Sequence, residues 1–333
     1  MTTTPPSEAA PTPYISVIIP AYCPLDFEAL KRSMAANSNA HAEWIVVDDG
    51  SGPEYGAVFA TLDGSPARVI RRAQNCRQGA ARNAGLLEAK GAWIKFLDAD
   101  DQLDEGHLAA LLKEAENLPE NAIPFAPTKH VFTNGNTSIN NSWRDLPPEP
   151  LLQYCRMLVR PFLHHCGVLF PQHVLENLGG YDESLLTDED GDLLLRILLD
   201  GHYFVPVESA NYLYIHHAGG RVSADDDIRK FVARRRVCEK VEASFDGEKG
   251  PMPARLREAL AQRMDKIAMA YWASHPADAR ELLARARTLC PNYRPDMRLP
   301  LRILRRIGGP SMVLATTTLY RRLKGRPKGG AQG

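Results

Sequence analysis

A run of carboxylates follows an apolar stretch in the first third of the chain. The sequence KFLDADDQLD places Asp98, Asp100, Asp101 and Asp104 directly after a strand-like segment. A strand that leads into a helix needs at most one acid as a cap, and Asp104 is expected to cap a helix that begins near Glu105. The other acids repel one another unless a positive charge lies between them. The run therefore predicts a cation site.

Two other acidic motifs fall where turns are expected. The sequence DDGS at residues 48–51 closes an apolar run, and an Asx-type turn would account for it. The sequence TDED at residues 187–190 opens a helical pattern, and Thr187 with an acid three residues later has the form of a capping box. Acids in a first turn also interact favourably with the helix dipole. Local structure alone could explain both motifs, so a structural and a functional interpretation stay open.

Apolar strand patterns alternate with helical patterns in the first half of the chain. The runs YISVIIP, EWIVVDDGSG and WIKFL are typical of strands buried on both faces of a parallel sheet. The segments between them have helical spacing, so we predict βαβ units and an open, twisted α/β sheet. Ligands bind at the carboxyl ends of the strands in such sheets. The motifs PAY at 20–22, DDGS at 48–51 and DADD at 98–101 all fall there.

The remainder of the chain is predicted from similar patterns. NAIPFAPTKHVF and HHCGVLFP each have the pattern of a strand, residues 151–159 that of a helix, and the segment from 225 onward is helical. We expect four parts: a disordered leader at 1–13, an α/β domain at 14–224, a helical region at 225–297 and a basic tail at 298–333. The tail has nine basic residues and no acid, although the 333-residue chain has a formal net charge of zero.

The cysteines and the amino terminus bear on location. The six cysteines show no C-x-x-C pair, which predicts neither a disulfide scaffold nor a zinc site and favours a reducing compartment. HHC at 164–166 offers adjacent ligands with no second pair, so a strand edge or the wall of an acceptor site is the preferred interpretation. No signal peptide or membrane span is predicted.

Five motifs in a fixed order carry a family resemblance. They are SVIIPAY, IVVDDGSG, NCRQGAARNAGLLEAKGAWIKFLDADD, GGYDESLLTDEDGDLLLRILLDG and YLYIHHAGGRVS. Their order resembles that of the family 2 glycosyltransferases, and the resemblance covers about residues 14–223. It implies the GT-A fold, a Rossmann-like and mostly parallel sheet, followed here by the helical carboxyl-terminal region.

The resemblance assigns metal and base roles to particular residues. Asp98 and Asp100 match the D-x-D motif that holds Mg²⁺ or Mn²⁺, with Asp101 as an auxiliary ligand. His217 matches the histidine of a Y-R-x-H motif and is a candidate metal or diphosphate contact. Asp190 matches the aspartate of the E-D motif and would be the general base of an inverting transfer.

Donor contacts follow from the same resemblance. Asp49 is expected to bind the nucleobase, usually uracil, in a pocket that Pro20, Ala21 and Tyr22 line. Arg82, near a helix amino terminus, would attract phosphate or the acidic cluster, although packing alone could explain its segment. Two departures from the family pattern leave contacts open, since Cys23 replaces an asparagine and Ile215 replaces an arginine. Arg221, on the loop that follows, could supply the missing charge.

The function predicted from these residues is an inverting, metal-dependent transfer of a sugar from a nucleoside-diphosphate sugar, with UDP preferred, to an acceptor hydroxyl. The acceptor would be a glycan or glycolipid in bacterial surface polysaccharide or lipopolysaccharide assembly. We expect a cytoplasmic protein whose tail can contact an anionic membrane surface on the inner face of the plasma membrane, with no nucleic-acid partner. The alternatives are a non-catalytic nucleotide-sugar-binding protein and, more weakly, a Mg²⁺ phosphatase with Asp98 as nucleophile.

Overall fold

A computed structural model describes residues 15–217, 228–245, 250–295 and, at the carboxyl end, 301, 303, 307–313, 315 and 316. The chain divides into two compact units, residues 1–224 and 225–333. Arg221, most of the predicted basic tail and all nine of its basic residues lie outside the described residues.

The strands of the first unit are β1 (Ile15–Ala21), β2 (Ala42–Asp48), β3 (Ala67–Arg71), β4 (Trp93–Phe96), β5 (Gln102–Leu103), β6 (Ala122–Phe125), β7 (Thr128–Val131), β8 (Thr137–Ile139), β9 (Leu169–Pro171), β10 (Tyr203–Pro206) and β11 (Tyr212–Ile215). Its helices are α1 (Glu28–Ala36), α2 (Gly56–Ala60), α3 (Arg77–Glu88), α4 (His107–Ala115), α5 (Pro150–Val159), α6 (Gln172–Asn177) and α7 (Glu189–Leu199). Short 3₁₀ turns cover Pro53–Tyr55 and His165–Gly167.

A central five-stranded sheet has the order β3-β2-β1-β4-β9. The first four strands are parallel, and β9 is antiparallel to β4. The β-branched residues of β1 and β2 are fully buried, as expected for strands covered on both faces. The predicted α/β fold with a mostly parallel sheet and a helical carboxyl-terminal region is therefore confirmed.

Helix α3 lies close against the sheet because its inner face carries small residues. A Cβ added at Gly85 would lie 2.3 Å from Ile18 Cγ2 and 3.2 Å from Val47 Cγ2, so this position admits only glycine at the observed distance. Ala80 and Ala81 are also buried. This close approach holds two polar residues of α3, Arg82 and Asn83, over the carboxyl edge of the sheet.

The predicted strand at NAIPFAPTKHVF is wrong, because the chain divides there into β6 and β7, which join different sheets. β6 pairs with β10, whereas β7 lies in a four-stranded sheet of order β5-β11-β7-β8. Pro127 separates the two strands and has no N–H to donate to a ladder. Its carbonyl oxygen accepts from Tyr212 N at 3.0 Å, and Ala126 N donates to Gly167 O at 2.9 Å. The segment between β6 and β7 is therefore hydrogen-bonded both to the start of β11 and to the turn that precedes β9.

Two helix starts also differ from the predictions. Asp104 does not cap α4, which begins at His107 after Gly106. Its carboxylate instead accepts from the backbone N and the side-chain Nδ2 of Asn211, at 2.9 and 3.0 Å. These bonds to a residue 107 positions later outcompete the local cap.

Helix α7 begins at Glu189, and its cap position is Asp188 rather than Thr187. Asp188 lies in the left-handed region, with φ of 66°, and makes no side-chain cap bond. The predicted capping box is therefore absent at this helix start.

The second unit contains α8 (Ile228–Ala243), α9 (Ala254–Tyr271) and α10 (Pro276–Leu289). Phe231 of α8 packs against Tyr271 of α9 with ring centroids 5.3 Å apart. Ile228 and Val232 are apolar but exposed, because they lie to one side of the stripe that Phe231, Cys238 and Val241 form. Among the described residues, no helix is both long enough and apolar enough to cross a membrane.

Candidate active site

Asp101 fixes the acidic loop that follows β4. It is fully buried, and its carboxylate accepts from the Tyr212 hydroxyl and, at 2.8 Å, from Ile215 N. Burial raises the pKa of Asp101 to about 7. The interpretation of Asp101 as an auxiliary metal ligand is therefore wrong, since both partners belong to β11 and hold the loop to that strand.

The hydrogen bonds of Asp101 to β11 also bring together two of the residues predicted to hold a metal. Asp100 Oδ2 lies 3.7 Å from His217 Nε2, although the residues are 117 positions apart in the chain. Both side chains are about half exposed, at 52% and 49%. An exposed carboxylate beside an exposed imidazole, at the mouth of the site, can bind a ligand from solution.

The chemistry of these side chains fits a divalent cation. Carboxylate oxygens suit Mg²⁺ and Mn²⁺, and a single imidazole beside them is a common Mn²⁺ ligand environment. Asp98 adds a further carboxylate at the start of the same loop, with its side chain 21% exposed. Asp100 and His217 therefore suit the predicted metal by donor type, whereas the ligand atoms of Asp98, Asp100 and His217 are not gathered within 4.8 Å of one another among the described residues.

Arg82 is the buried centre of the site. Its guanidinium is 1% exposed and lies 2.8 Å from Asp98 Oδ1 and 3.1 Å from Glu189 Oε1. It also stacks over the Tyr181 ring, 5.3 Å from the centroid. Of the two anionic targets that the sequence suggested, the structure shows Arg82 at the acidic cluster.

The two carboxylates beside Arg82 differ in their electrostatics. Burial raises the pKa of Asp98, but the adjacent Arg82 guanidinium outweighs burial and holds this pKa well below its usual range. Burial and the charge of Asp190 raise the pKa of Glu189 despite the same guanidinium. Asp98 is therefore the firmly ionised partner of the pair.

A set of polar contacts fixes α7 against α3. Asn83 Nδ2 donates to Tyr181 O at 2.9 Å, and Tyr181 N donates back to Asn83 Oδ1 at 2.8 Å. Arg196, paired with Asp192 at 2.8 Å, donates to the carbonyl oxygens of Leu178 and Gly180. Asp192 therefore lies in a structural contact, on a different side of α7 from Asp190.

Asp190 faces the opening of the site from the first turn of α7. Its side chain is 37% exposed, and Oδ2 lies 3.4 Å from His165 Nδ1. Oδ1 accepts from Gly191 N at 2.8 Å. Burial raises the pKa of Asp190, but the contact with His165 and nearby positive charge lower it below the usual range. An exposed and ionised carboxylate can accept a proton from a bound hydroxyl.

The predicted nucleobase pocket lies at the ends of β1 and β2. Asp49 is buried, and its Oδ1 accepts from Arg72 NH1 at 3.2 Å and from Cys76 N at 3.1 Å. Burial raises the pKa of Asp49 above its ordinary value. The Tyr22 ring is 56% exposed, so it is available to a ligand.

Hydrogen bonds hold the backbone around this pocket. Asp49 N donates to Ala21 O at 2.8 Å, and Cys23 N donates to Ser51 Oγ at 2.9 Å. Asp48, whose Oδ1 accepts from Ser51 N, forms the expected Asx-type turn. Ala21 therefore lies beside Asp49, and the nucleobase pocket of Pro20, Ala21 and Tyr22 stays a prediction.

A row of aromatic and imidazole rings leads from the surface to Asp190. Phe132 stacks on His216 with centroids 4.4 Å apart, and His216 contacts Tyr214 edge to face at 5.1 Å. Tyr214 contacts His164 at 5.8 Å, and His164 contacts His165 at 4.7 Å. The row starts with Phe132, which is 38% exposed, and ends beside the predicted base.

Sequence reasoning missed three parts of this arrangement. Glu189 was interpreted as part of a helix start and Tyr181 was assigned no role. His165 was interpreted, with the rest of HHC at 164–166, as a strand edge or the wall of an acceptor site, and no contact with Asp190 was assigned to it. Glu189 could have been found, because it is the glutamate of the E-D motif that identified Asp190. The contacts of Tyr181 and His165 depend on tertiary packing, and no local pattern indicates them.

We expect Arg82→Met to lower the free energy of unfolding at pH 7 by about 3–5 kcal/mol, because it leaves Asp98 and Glu189 buried without a cation. The pKa of Asp98 is lowered in the fold, so its contribution is present above the unfolded value of about 3.9 and is lost as the pH falls. The deficit of the variant should therefore shrink below about pH 4.

Urea unfolding at several pH values measures this deficit. The matched control is Arg68→Met, which removes an arginine that is 43% exposed and pairs with Glu88 at 3.0 Å. A surface pair of this kind is worth about 0–1 kcal/mol. Equal losses for the two variants would contradict a central role for Arg82.

Comparisons with known proteins agree with the fold. The model of glycosyl transferase family 2 matches residues 16–179. The succinoglycan biosynthesis protein ExoO of Rhizobium meliloti is 28% identical over 252 residues, which cover 69% of this chain and 72% of that protein.

Two solved structures share the fold. Residues 1–349 of TarS from S. aureus, in complex with UDP-GlcNAc, are 18% identical with a TM-score of 0.65, over 92% of this chain and 91% of that one. The mannosyltransferase PcManGT from Pyrobaculum calidifontis, in complex with GDP-Man and Mn²⁺, is 17% identical with a TM-score of 0.53, over 95% of this chain and 88% of that one. Residues 16–179 therefore match glycosyl transferase family 2, and the chain is a glycosyltransferase with the GT-A fold.

Proposed function

We propose that this chain transfers a sugar from a UDP-sugar to an acceptor hydroxyl, with inversion at the sugar carbon and with a bound divalent metal. One observation carries the proposal. Arg82 joins Asp98, at the start of the predicted metal loop, to Glu189, the neighbour of the predicted base Asp190. In this proposal, one buried ion-pair network fixes Asp98 and the neighbour of Asp190, and so sets the distance between the groups that inversion requires on opposite sides of the sugar.

Asp190 acts as the general base in this proposal. It is ionised and exposed, so its carboxylate can take the proton of the acceptor hydroxyl as that oxygen attacks the sugar carbon. Inversion requires the base and the leaving diphosphate on opposite faces of the sugar. Arg82 holds Asp98 on the diphosphate side, while the contacts of α7 hold Asp190 on the acceptor side.

Asp98, Asp100 and His217 would hold the metal. When bound, Mg²⁺ or Mn²⁺ neutralises the charge that develops on the departing diphosphate. Asp49 and the exposed Tyr22 ring would bind the nucleobase, and Arg221, which lies outside the described residues, would contact the diphosphate.

Two relatives support the choice of donor and acceptor. UDP-GlcNAc is bound in the TarS structure, whose TM-score of 0.65 is higher than the 0.53 of the GDP-Man complex. The ExoO relative is named for the biosynthesis of succinoglycan, a bacterial polysaccharide. We therefore propose a glycan or glycolipid acceptor in surface polysaccharide assembly, placed along the ring row that ends beside Asp190.

The proposal extends to an anionic membrane surface. The basic tail at 298–333 has nine basic residues and no acid, so it would attract acidic lipid headgroups. Co-sedimentation of the full chain with phosphatidylglycerol vesicles, compared with a chain that ends at residue 297, tests this part. Equal binding of the two chains would refute it.

We expect UDP, but not GDP or dTDP, to bind in the presence of Mn²⁺ and to lose binding in EDTA. Asp100→Ala and His217→Ala should each weaken binding by a factor of about ten to a hundred, because a contact to a charged group contributes about 1.5–3 kcal/mol. Asp63→Ala is the matched control, since Asp63 is an exposed acid before β3, at the opposite edge of the sheet. Calorimetric titration measures all three.

Calorimetry, together with a turnover assay, also distinguishes a glycosyltransferase from a non-catalytic nucleotide-sugar-binding protein. Binding of UDP that does not depend on metal, or that Asp100→Ala leaves unchanged, would contradict the proposed metal site. Metal-dependent binding with no turnover of any UDP-sugar would favour the non-catalytic alternative.

We expect Asp190→Asn to lower kcat by a factor of about 10²–10⁴, since general base catalysis contributes rate enhancements of that size. The affinity for UDP and Mn²⁺ should not change, because Asp190 is proposed to contact the acceptor and not the nucleotide. Release of UDP from UDP-GlcNAc, UDP-glucose and UDP-galactose, with water as acceptor where no glycan is known, gives the rate. The control is Asp200→Asn, at the other end of α7. Equal rates for the two variants would remove Asp190 from the mechanism.

A further inference from the structure

His165 lies between two groups that can each form a hydrogen bond with its ring. Its Nδ1 is 3.4 Å from Asp190 Oδ2, and its Nε2 is 3.2 Å from Cys166 Sγ. His165 is 2% exposed and Cys166 is fully buried, so water cannot replace either contact. Among the described residues, His165 Nδ1 is a buried atom that makes no hydrogen bond in the structure, and Asp190 Oδ2 at 3.4 Å is the acceptor it faces.

We propose that His165 is a positioning residue for Asp190, that its Nδ1–H donates to the carboxylate, and that the Cys166 thiol fixes this tautomer by donating to Nε2. The proposal deepens the proposed function and rests on it, because it concerns the residue assigned there as the base.

The chemistry of the neighbours decides which ring nitrogen carries the proton. An ionised carboxylate only accepts hydrogen bonds, so the nitrogen that faces Asp190 must be the donor. In the neutral ring, the other nitrogen is then an acceptor. Burial raises the pKa of the Cys166 thiol well above its ordinary value, so the thiol keeps its proton and can donate it to Nε2. The three groups thus form one directed chain of donors, from Cys166 through His165 to Asp190.

Aromatic packing holds the imidazole in this orientation. The ring lies 6.4 Å from Phe96, 6.2 Å from Tyr181 in an edge-to-face contact and 4.7 Å from His164. His164 is itself uncharged at neutral pH, because burial lowers its pKa to about 3. These ring contacts and the burial of His165 restrict the rotation of its imidazole.

The effect on Asp190 is both geometric and electrostatic. A donor on Oδ2 and Gly191 N on Oδ1 fix the plane of the carboxylate, while lone pairs remain for the acceptor hydroxyl. The donor also favours the ionised form, so the base stays unprotonated at lower pH. Arg82, Glu189, His164 and Tyr181 also face Asp190 and contribute to its titration.

The first test reads the tautomer without any turnover. The side-chain ¹⁵N resonances of His165 in the full chain, assigned by comparison with His165→Asn, should show a proton on Nδ1 and none on Nε2. Cys166→Ala should lower the population of this tautomer, because only Asp190 then favours it, whereas Cys166→Ser should retain the wild-type pattern because a hydroxyl can also donate. A proton on Nε2 in the wild type would overturn the proposal.

Zinc provides a second possible outcome of the same experiment. One ligand atom from each of His164, His165 and Cys166 lies within 4.8 Å of the others, so the three could bind a metal ion. Stoichiometric zinc in the purified full chain, with a deprotonated Cys166, would overturn the proposal, because the thiol would have no proton to donate.

The second test uses two amides that mimic different ring nitrogens. The side-chain nitrogen of asparagine approximates Nδ1, and that of glutamine approximates Nε2. We expect His165→Asn to stay within about threefold of the wild-type kcat. His165→Gln should move the acidic limb of the pH–rate profile upward by about one pH unit, so that the rate falls about tenfold on that limb.

Controls separate this proposal from a folding defect and from the function itself. Both amides are polar and similar in size, so loss of fold would affect them alike, and unchanged UDP affinity and urea midpoints would establish that they are folded. Equal kinetics for the two variants would overturn the positioning role. If no variant turns over any UDP-sugar, the proposed function fails, while the ¹⁵N spectrum still decides whether the hydrogen-bond chain exists.

Discussion

The buried guanidinium of Arg82 is the interaction on which the site depends. It is almost fully enclosed and lies between Asp98 and Glu189, which belong to elements about 90 residues apart in the chain. A charge in that position is tolerated only with such partners, so the pair of acids and the arginine must be placed together or not at all. The small inner face of α3, with Gly85 against Ile18, lets the arginine reach that depth. The packing of α3 on the sheet thus determines the position of the Asp98 carboxylate.

The buried carboxylate of Asp101 fixes the acidic loop, as the buried guanidinium of Arg82 fixes the centre of the site. Its bonds to Tyr212 and to Ile215 N join the end of β4 to β11, and so place His217 beside Asp100. The site therefore divides its acids by environment: those held by partners in the interior fix the backbone, and those left half exposed meet ligands. Sequence spacing alone cannot distinguish the two kinds, since Asp100 and Asp101 are adjacent.

Much of the fold could be predicted because it depends on local pattern. The β-branched runs of β1 and β2 and the motif order indicated the parallel sheet, and its carboxyl edge carries the expected Asp49, Asp98 and Asp100. The failures share a cause, which is competition from distant groups. Asn211 takes the carboxylate of Asp104 that would have capped α4, and Pro127 diverts a strand into a second sheet. His165 is a similar case, since its neighbour Asp190 lies 25 residues later.

The four-stranded sheet has a consequence for how such enzymes can diverge. β7 and β8 lie at one side of that sheet, and β8 is exposed along its whole length, whereas Arg82 and Asp98 belong to α3 and to the end of β4. Substitutions on β8 and around Phe132 can change the shape of the surface without disturbing a buried charge. With the acceptor placed along the ring row as proposed, such surface substitutions would change acceptor preference and leave the buried ion pairs at the sheet edge intact.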